Sequence, residues 1–483
     1  MRRTGVAAVR ATILSGMAVT IACGSRAGAP EPPRLSLAPC SVGGIEARCG
    51  SLTVFENRAT RTGRTIALNM VVLPATGQAP APDPIFYLAG GPGQAATRVA
   101  ATGVVDLSLR DKRDLVFVDQ RGTGGSNPLD CELPGSPEDP QGYLDEVFQA
   151  GVVERCRDRL ASTADVRLYT TATAADDLDD VRAALGYARV NLIGGSYGTR
   201  AALTYIRRHP ASVRSAILNG VAPASLRNPL YHARESQRAL DAVFDRCTAE
   251  AGCRAAFPRI REEFQEIVQK LDREPARVQL TPPGGGAPAT VHLSRYAFAD
   301  TIRMMMYGVE GMLNVPLVVH RAHKGDFSLL VQRAVRQRRG VTNLAHGMLL
   351  STTCAEDVVR IRDDEIPALT TGTFLGPDRV RMQKQVCAIW PRGEVPADDA
   401  DPVRSNAPAL LLSGSLDPVT PAGWADEALR TLPNGRHVVA PGAHGLGGPC
   451  ISQITRDFLT RGSTKDLDTS CAAGMALPPF VTR

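Results

Sequence analysis

Three observations predict an α/β fold in which a mostly parallel sheet is interrupted by a large, mainly helical insertion. Apolar runs end at residues 88, 118 and 193, and each feeds a glycine-rich loop, as parallel strands do when their carboxyl ends share one edge. Between residues 225 and 403 that rhythm stops, and apolar side chains recur at helical spacing, as at Leu240, Val243, Phe244 and Cys247. The strand rhythm then resumes at 408–414 and 436–440. A chain of 483 residues, 43% hydrophobic and 22% charged, is globular and too long for one core of ordinary size, so one large domain with a substantial insertion, or two domains, is expected.

The amino-terminal part reads as an export signal. Arg2, Arg3 and Arg10 surround or precede a short apolar stretch over 11–22 that cannot span a bilayer. Ala22-Cys23-Gly24-Ser25 resembles a bacterial lipobox, with Cys23 as the lipid-bearing first residue, although Thr20 stands where that motif prefers an aliphatic residue. Ordinary cleavage after Ala27 or Ala29 is the alternative. Either route exports the chain. The expected organisation is a signal peptide (1–22), a Pro-rich tether and start of the mature chain (23–49), a first core segment (50–224), the insertion (225–403) and a second core segment (404–483). A net charge of +6 falls to +3 once the three signal arginines are removed, which argues against nucleic acid as a partner. Apart from Cys23 there are ten cysteines. Their spacing suggests the local pairs Cys40 with Cys49, Cys131 with Cys156, Cys247 with Cys253, Cys354 with Cys387, and Cys450 with Cys471, in keeping with an oxidising compartment.

In chain order, strands are expected over 50–56 and 65–73. Another over 83–88 ends at Ala89-Gly90-Gly91-Pro92-Gly93, and one over 114–118 ends at Asp119-Gln120-Arg121-Gly122-Thr123-Gly124-Gly125-Ser126. A helix is expected over 173–185, with Leu178, Val181 and Leu185 on one face and Gly186 as its carboxyl-end cap. Asp176, Asp177, Asp179 and Asp180 are read as complementing the helix amino terminus in preference to binding a metal. Strand 190–193 then runs into Gly194-Gly195-Ser196-Tyr197-Gly198, followed by a helix stopped at His209-Pro210. Within the insertion, the glycine-rich stretch 281–288 reads as a loop, Met304 to Met306 with Tyr307 as core packing, and Arg333, Arg336, Arg338 and Arg339 as a solvated helix face.

Gly-x-Ser-x-Gly between a strand and a helix is a nucleophile elbow. The backbone reverses so sharply that a Cβ at Gly194 or Gly198 would collide with its neighbours, and Ser196 is held with its hydroxyl above the sheet. A serine hydroxyl needs a base to take its proton, and that base needs an orienting acid. Asp417 follows the strand ending near Ser413, and His444 follows the last strand in Pro441-Gly442-Ala443-His444-Gly445, so both fall at carboxyl ends in the order Ser, Asp, His. The amides of Tyr197 and Gly91 are the expected donors to an oxyanion, with Pro92, which has no amide hydrogen, fixing the loop. No metal or organic cofactor is implied.

Gly-Gly-Pro-Gly, Asp119-Gln120-Arg121-Gly122-x-Gly124-x-Ser126, Gly-Gly-Ser-Tyr-Gly and Ser-x-x-Asp-Pro-Val-Thr-Pro together resemble the prolyl and tripeptidyl aminopeptidases of the α/β-hydrolase fold, over about residues 50–224 and 404–471. The resemblance implies a helical cap above the serine, a peptide substrate with a free amino terminus, and acidic groups that hold its ammonium. Many family members carry histidine before Gly-Gly-Pro-Gly where this chain has Ala89, so strict proline specificity is not carried over. Cys354-Ala355-Glu356-Asp357 is similar to a stretch in secreted tripeptidyl-aminopeptidase-like members, which makes Glu356, then Asp357, the expected ammonium receptors. A helix-end salt bridge is the alternative reading. A carboxylesterase, and a catalytically silent surface protein on the same scaffold, are the rival functions.

Overall fold

The computed structural model describes residues 35, 37–102, 105–282, 285, 287–341 and 343–483. The signal segment, Cys23 and the proposed cleavage sites lie outside the described residues. One sheet is built from β1 (Ala38–Val42), β2 (Ile45–Phe55), β3 (Thr65–Leu73), β4 (Ile85–Leu88), β5 (Leu115–Val118), β6 (Val190–Gly195) and β7 (Val213–Asn219). A two-stranded hairpin, β8 (Ala276–Leu280) with β9 (Ala289–Leu293), belongs to the insertion, and the main sheet is completed by β10 (Ala409–Gly414) and β11 (Gly435–Ala440). The order across the sheet is β1-β2-β3-β5-β4-β6-β7-β10-β11. From β5 to β11 the neighbours run parallel, whereas β1, β2 and β3 join antiparallel at one edge.

Burial explains the sequence pattern of these strands. All four residues of β5 and all six of β10 are buried, because helices cover both faces and no polar side is needed. On one face pack helices α1 (Thr171–Ala184) and α2 (Tyr197–Arg208), through Leu178, Val181, Ala202 and Ile206. On the other lie Ala96, Ala100, Ile454 and Phe458. The insertion has its own core, in which α3 (His232–Ala249) and α4 (Arg295–Met305) contribute Leu240, Phe244, Phe298 and Ile302. A further apolar cluster joins α5 (His346–Glu356) to α6 (Asp378–Ile389) through Met348, Leu350, Met382 and Val386. All five cysteine pairs read from the spacing are disulfides, each closing a segment of 6 to 33 residues.

Four expectations are corrected. The sheet begins at Ala38, inside the stretch read as tether, because β1 and β2 form a hairpin closed by Cys40–Cys49. The insertion is helical apart from the β8/β9 hairpin, two strands that the sequence pattern did not predict. Helix α1 starts at Thr171, with the Thr170 side chain accepting from the Thr173 amide, so its aspartates sit beyond the first turn. They serve ion pairs instead: Asp177 takes a two-pronged contact from Arg121 (2.6 and 2.9 Å) and one from Arg58, and Asp176 binds Arg208 and His209. Lastly, Arg338 is buried, donating to the carbonyls of Pro134, Gly142 and Asp145, so it is not part of a solvated face.

The Asp119-Gln120-Arg121 loop is likewise a structural lock. Arg121 is fully buried and also donates to the Glu56 and Leu168 carbonyls, both at 2.9 Å, so it ties β2 to α1. Asp119, also fully buried, accepts from the amides of Thr97 and Gly125 and from Asn69 Nδ2, all at 2.9 Å, which fixes the loops at the carboxyl ends of β4 and β5.

Candidate active site

Ser196 sits between β6 and α2 with φ 55° and ψ −123°, a left-handed conformation that a non-glycine residue holds at a cost on the order of 1–3 kcal/mol. Its surroundings over-determine it. A Cβ on Gly194 would lie 2.3 Å from the Gly198 oxygen, and one on Gly198 would lie 2.0 Å from the Leu88 oxygen, so neither position accepts a side chain. The Ser196 amide donates to Asn219 O at 3.0 Å, and Thr199 Oγ1 donates to Ser196 O at 2.6 Å, so the turn is tied to β7 and to its own helix.

The loop after β10 presents Asp417, fully buried. Its Oδ1 accepts from the amides of Val419 and Thr420 at 2.8 Å each, and Oδ2 accepts from Thr420 Oγ1 at 2.8 Å and faces His444 Nδ1 at 2.9 Å. Burial pushes this carboxyl up, but the nearby His444 and the hydrogen bonds outweigh it and hold the group below its usual range. Asp417 is therefore charged at neutral pH. With Nδ1 of His444 turned to Asp417, Nε2 is the ring nitrogen left for another partner.

His444 is held from the insertion as well as from the sheet. Its backbone amide donates to Tyr307 O at 3.2 Å, and the Tyr307 ring meets the imidazole edge-on with centroids 5.2 Å apart. Ser196, His444, Gly91 and Tyr197 all border one cavity of about 1120 Å³, roofed by the insertion. Gly91 has φ 111°, and a Cβ there would lie 2.7 Å from the Gly93 nitrogen, so the tight loop requires glycine. Tyr197 opens α2, where the first-turn amides have no intrahelical acceptor. A serine, an imidazole, a buried carboxylate and two backbone amides around one cavity have the composition needed for acyl transfer.

The expected ammonium receptors are placed differently. Glu356 is 2% exposed and does not border the cavity; Oε1 accepts from the Thr171 amide at 2.7 Å and Oε2 from Thr171 Oγ1 at 2.8 Å. The physical reason is that every residue of α5 is buried, so its last residue has no solvated face to present. Burial pushes the Glu356 carboxyl up to about 8, with Asp399 adding to the effect and Arg200 opposing it. Asp357 borders the cavity but is committed to Arg200 Nη1 at 2.7 Å, and thus takes the salt-bridge role. Thr171 Oγ1 also meets Tyr197 Oη at 2.8 Å, so Glu356 supports the start of α2 from behind.

Sequence reasoning missed the groups that line the roof. Arg303, Arg379, His232 and Tyr307 all face the cavity. The available signal was a charge inside an apolar face: Arg303 interrupts Ile302, Met305 and Met306, which are buried.

Comparison with known proteins accords with this picture. Residues 83–250 match the family model described as alpha/beta hydrolase fold, and residues 373–471 match that described as TAP-like protein. The serine protease Hip1 of Mycobacterium tuberculosis is 25% identical over 470 residues, covering 88% of this chain and 87% of that protein. The tripeptidyl aminopeptidase of Streptomyces coelicolor is 25% identical over 473 residues, covering 88% of this chain and 83% of its own. A solved proline iminopeptidase from Mycobacterium smegmatis is a distant likeness, at 16% identity and a TM-score of 0.39, over 85% of this chain and 98% of that one. The chain therefore has the α/β-hydrolase fold, with a TAP-like carboxyl-terminal part, and it is a hydrolase.

Proposed function

We propose that the chain is an exported serine peptidase that releases residues or short peptides from the amino ends of peptides. The observation that carries the reading is the convergence of Ser196, in its left-handed turn, and the Asp417–His444 pair at 2.9 Å on one roofed cavity. Ser196 Oγ gives its proton to His444 Nε2 and bonds to the scissile carbonyl carbon, while the amides of Tyr197 and Gly91 receive the oxyanion. His444 then passes that proton to the departing amine as the C–N bond breaks. Water, deprotonated by the same imidazole, next cleaves the acyl-serine ester. Asp417 holds the imidazole in the tautomer this sequence needs and stabilises its cation.

Release from an amino end is supported by the roof, which limits the room for a long chain in the cavity, and by the peptidase names of two relatives that span most of this chain. With Glu356 turned to Thr171 and Asp300 paired with Arg303, recognition of the ammonium falls to an acid that borders the cavity without an arginine partner, Asp145. A peptide set presented with free and with acetylated amino ends tests this. Blocked peptides are expected to react roughly tens to thousands of times more slowly, since an anion in the cavity loses its ammonium partner. Equal rates would leave an esterase or an endopeptidase in place of the aminopeptidase.

Export is the second half of the proposal. Five disulfides suit an oxidising compartment, and among the described residues no helix is long and apolar enough to cross a membrane. We propose that Cys23 carries lipid and forms the anchor. Mass spectrometry of the mature amino terminus is expected to find an acylated Cys23, and Cys23→Ser to release the protein into the soluble fraction. A mature chain starting unmodified at Gly28 or Pro30 would refute the anchor.

A further inference from the structure

We propose that Arg379 and Arg303 form a carboxylate-binding subsite in the roof of the cavity, so that the enzyme favours substrates bearing a negative charge close to the bond it cuts. The inference rests on the peptidase reading and adds its substrate class. Arg303, on α4, is buried and uses Nη1 on Tyr307 Oη at 2.7 Å and Nε on Asp300 Oδ1 at 3.1 Å. Arg379, at the start of α6, lies over the Phe148 ring at 4.1 Å and donates to Gln383 Oε1 at 2.7 Å. Among the described residues it has no carboxylate oxygen within 4.0 Å. Of the two guanidinium groups, Arg303 is paired with Asp300, whereas Arg379 borders the cavity without an ion-pair partner among the described residues.

A second observation points to a ligand. His232 borders the same cavity, is 8% exposed, and its buried Nδ1 has no hydrogen-bond partner among the described residues. Burial, then Arg303, Arg379 and His444, holds this imidazole well below its usual value, so it is neutral and adds no charge of its own. A half-buried guanidinium without a counter-ion is poorly compensated, and a planar carboxylate presented to its free edge supplies both charge and paired acceptors. The neutral imidazole beside it can offer one further N–H.

Position follows from contacts already described. Arg303 touches the Tyr307 hydroxyl, and the Tyr307 ring touches His444. At roughly 3.3–3.6 Å per extended residue, this chain of contacts puts the Arg303 guanidinium within reach of about the first three residues on either side of the scissile bond. The carboxylate can come from an acidic side chain there or from the terminal carboxylate of a very short substrate.

The experiment is a panel of otherwise all-alanine fluorogenic peptides carrying Glu or its neutral isostere Gln at each of these positions, together with short alanine peptides ending in acid or amide. The parent enzyme is expected to prefer Glu at one position at least about tenfold in kcat/KM, or the acid over the amide by as much if the terminal carboxylate is the source. In Arg379→Met that ratio is expected to collapse toward one, and in Arg379→Lys to recover in part. Equal rates for Glu and Gln everywhere, and for acid and amide, overturn the subsite using the parent enzyme alone; so does a preference that survives in Arg379→Met. Turnover of the all-alanine peptides separates this failure from that of the peptidase reading, which falls only if no peptide in the panel is cut.

Discussion

Ser196→Ala is expected to lose at least about a thousandfold in kcat/KM on peptides and on small esters alike, and to lose all labelling by a fluorophosphonate. On the proposed mechanism the hydroxyl forms the bond to the substrate, and without it the remaining amides could lower the barrier only for attack by water. The fold should be indifferent. Alanine carries the same Cβ through the same left-handed turn, and the bonds that hold the turn, from the Ser196 amide to Asn219 O and from Thr199 to Ser196 O, are backbone bonds at this residue. A melting temperature matching the parent, with activity gone, is the expected pair of results. Labelling that persists in the alanine variant would move the nucleophile elsewhere.

Asp417→Asn is expected to lower kcat by roughly 10³–10⁴-fold without unfolding the protein, through the tautomer of His444. The amides of Val419 and Thr420 donate to Oδ1, which fixes the oxygen of an introduced asparagine on that side. Its amino group then takes the place of Oδ2, facing Thr420 Oγ1 and His444 Nδ1. A donor there forces the imidazole proton onto Nε2, the nitrogen that must accept from Ser196. Stopped-time assays on the purified, folded variant decide it. A loss smaller than about tenfold would mean that another acid orients the base.

The sheet and the elbow were legible because their chemistry is local. A strand that must be buried on both faces reads as a solid apolar run, and the turn after β6 admits only glycine at 194 and 198, for contacts of 2.3 and 2.0 Å that any side chain would violate. Asp417 and His444 were legible by position alone, each following a strand. What stayed hidden depended on distant partners. The hairpin of β1 and β2 is masked by Pro39 in the edge strand, where a missing amide costs little. The α1 aspartates looked like helix-end charges, yet the arginines that claim them, Arg58, Arg121 and Arg208, come from three separate parts of the chain. Glu356 looked like a fixed receptor for the same reason: nothing local reveals that Thr171, far upstream, takes both its oxygens. Arg379 reads as an ordinary surface charge until α6 is folded over the cavity.

The contact between Tyr307 and His444 makes the insertion a structural parent of the imidazole's position. The backbone carbonyl that receives the His444 amide and the ring that flanks the imidazole both come from the residue just after α4. A cap of this kind cannot be exchanged as an independent module. Trimming it to open the cavity to bulky substrates, or grafting another in its place, would take away one side of the histidine's seat along with the roof, and any displacement of α4 on substrate entry reaches the imidazole directly. Substrate fit and chemical competence are therefore mechanically linked in this chain, through a single tyrosine.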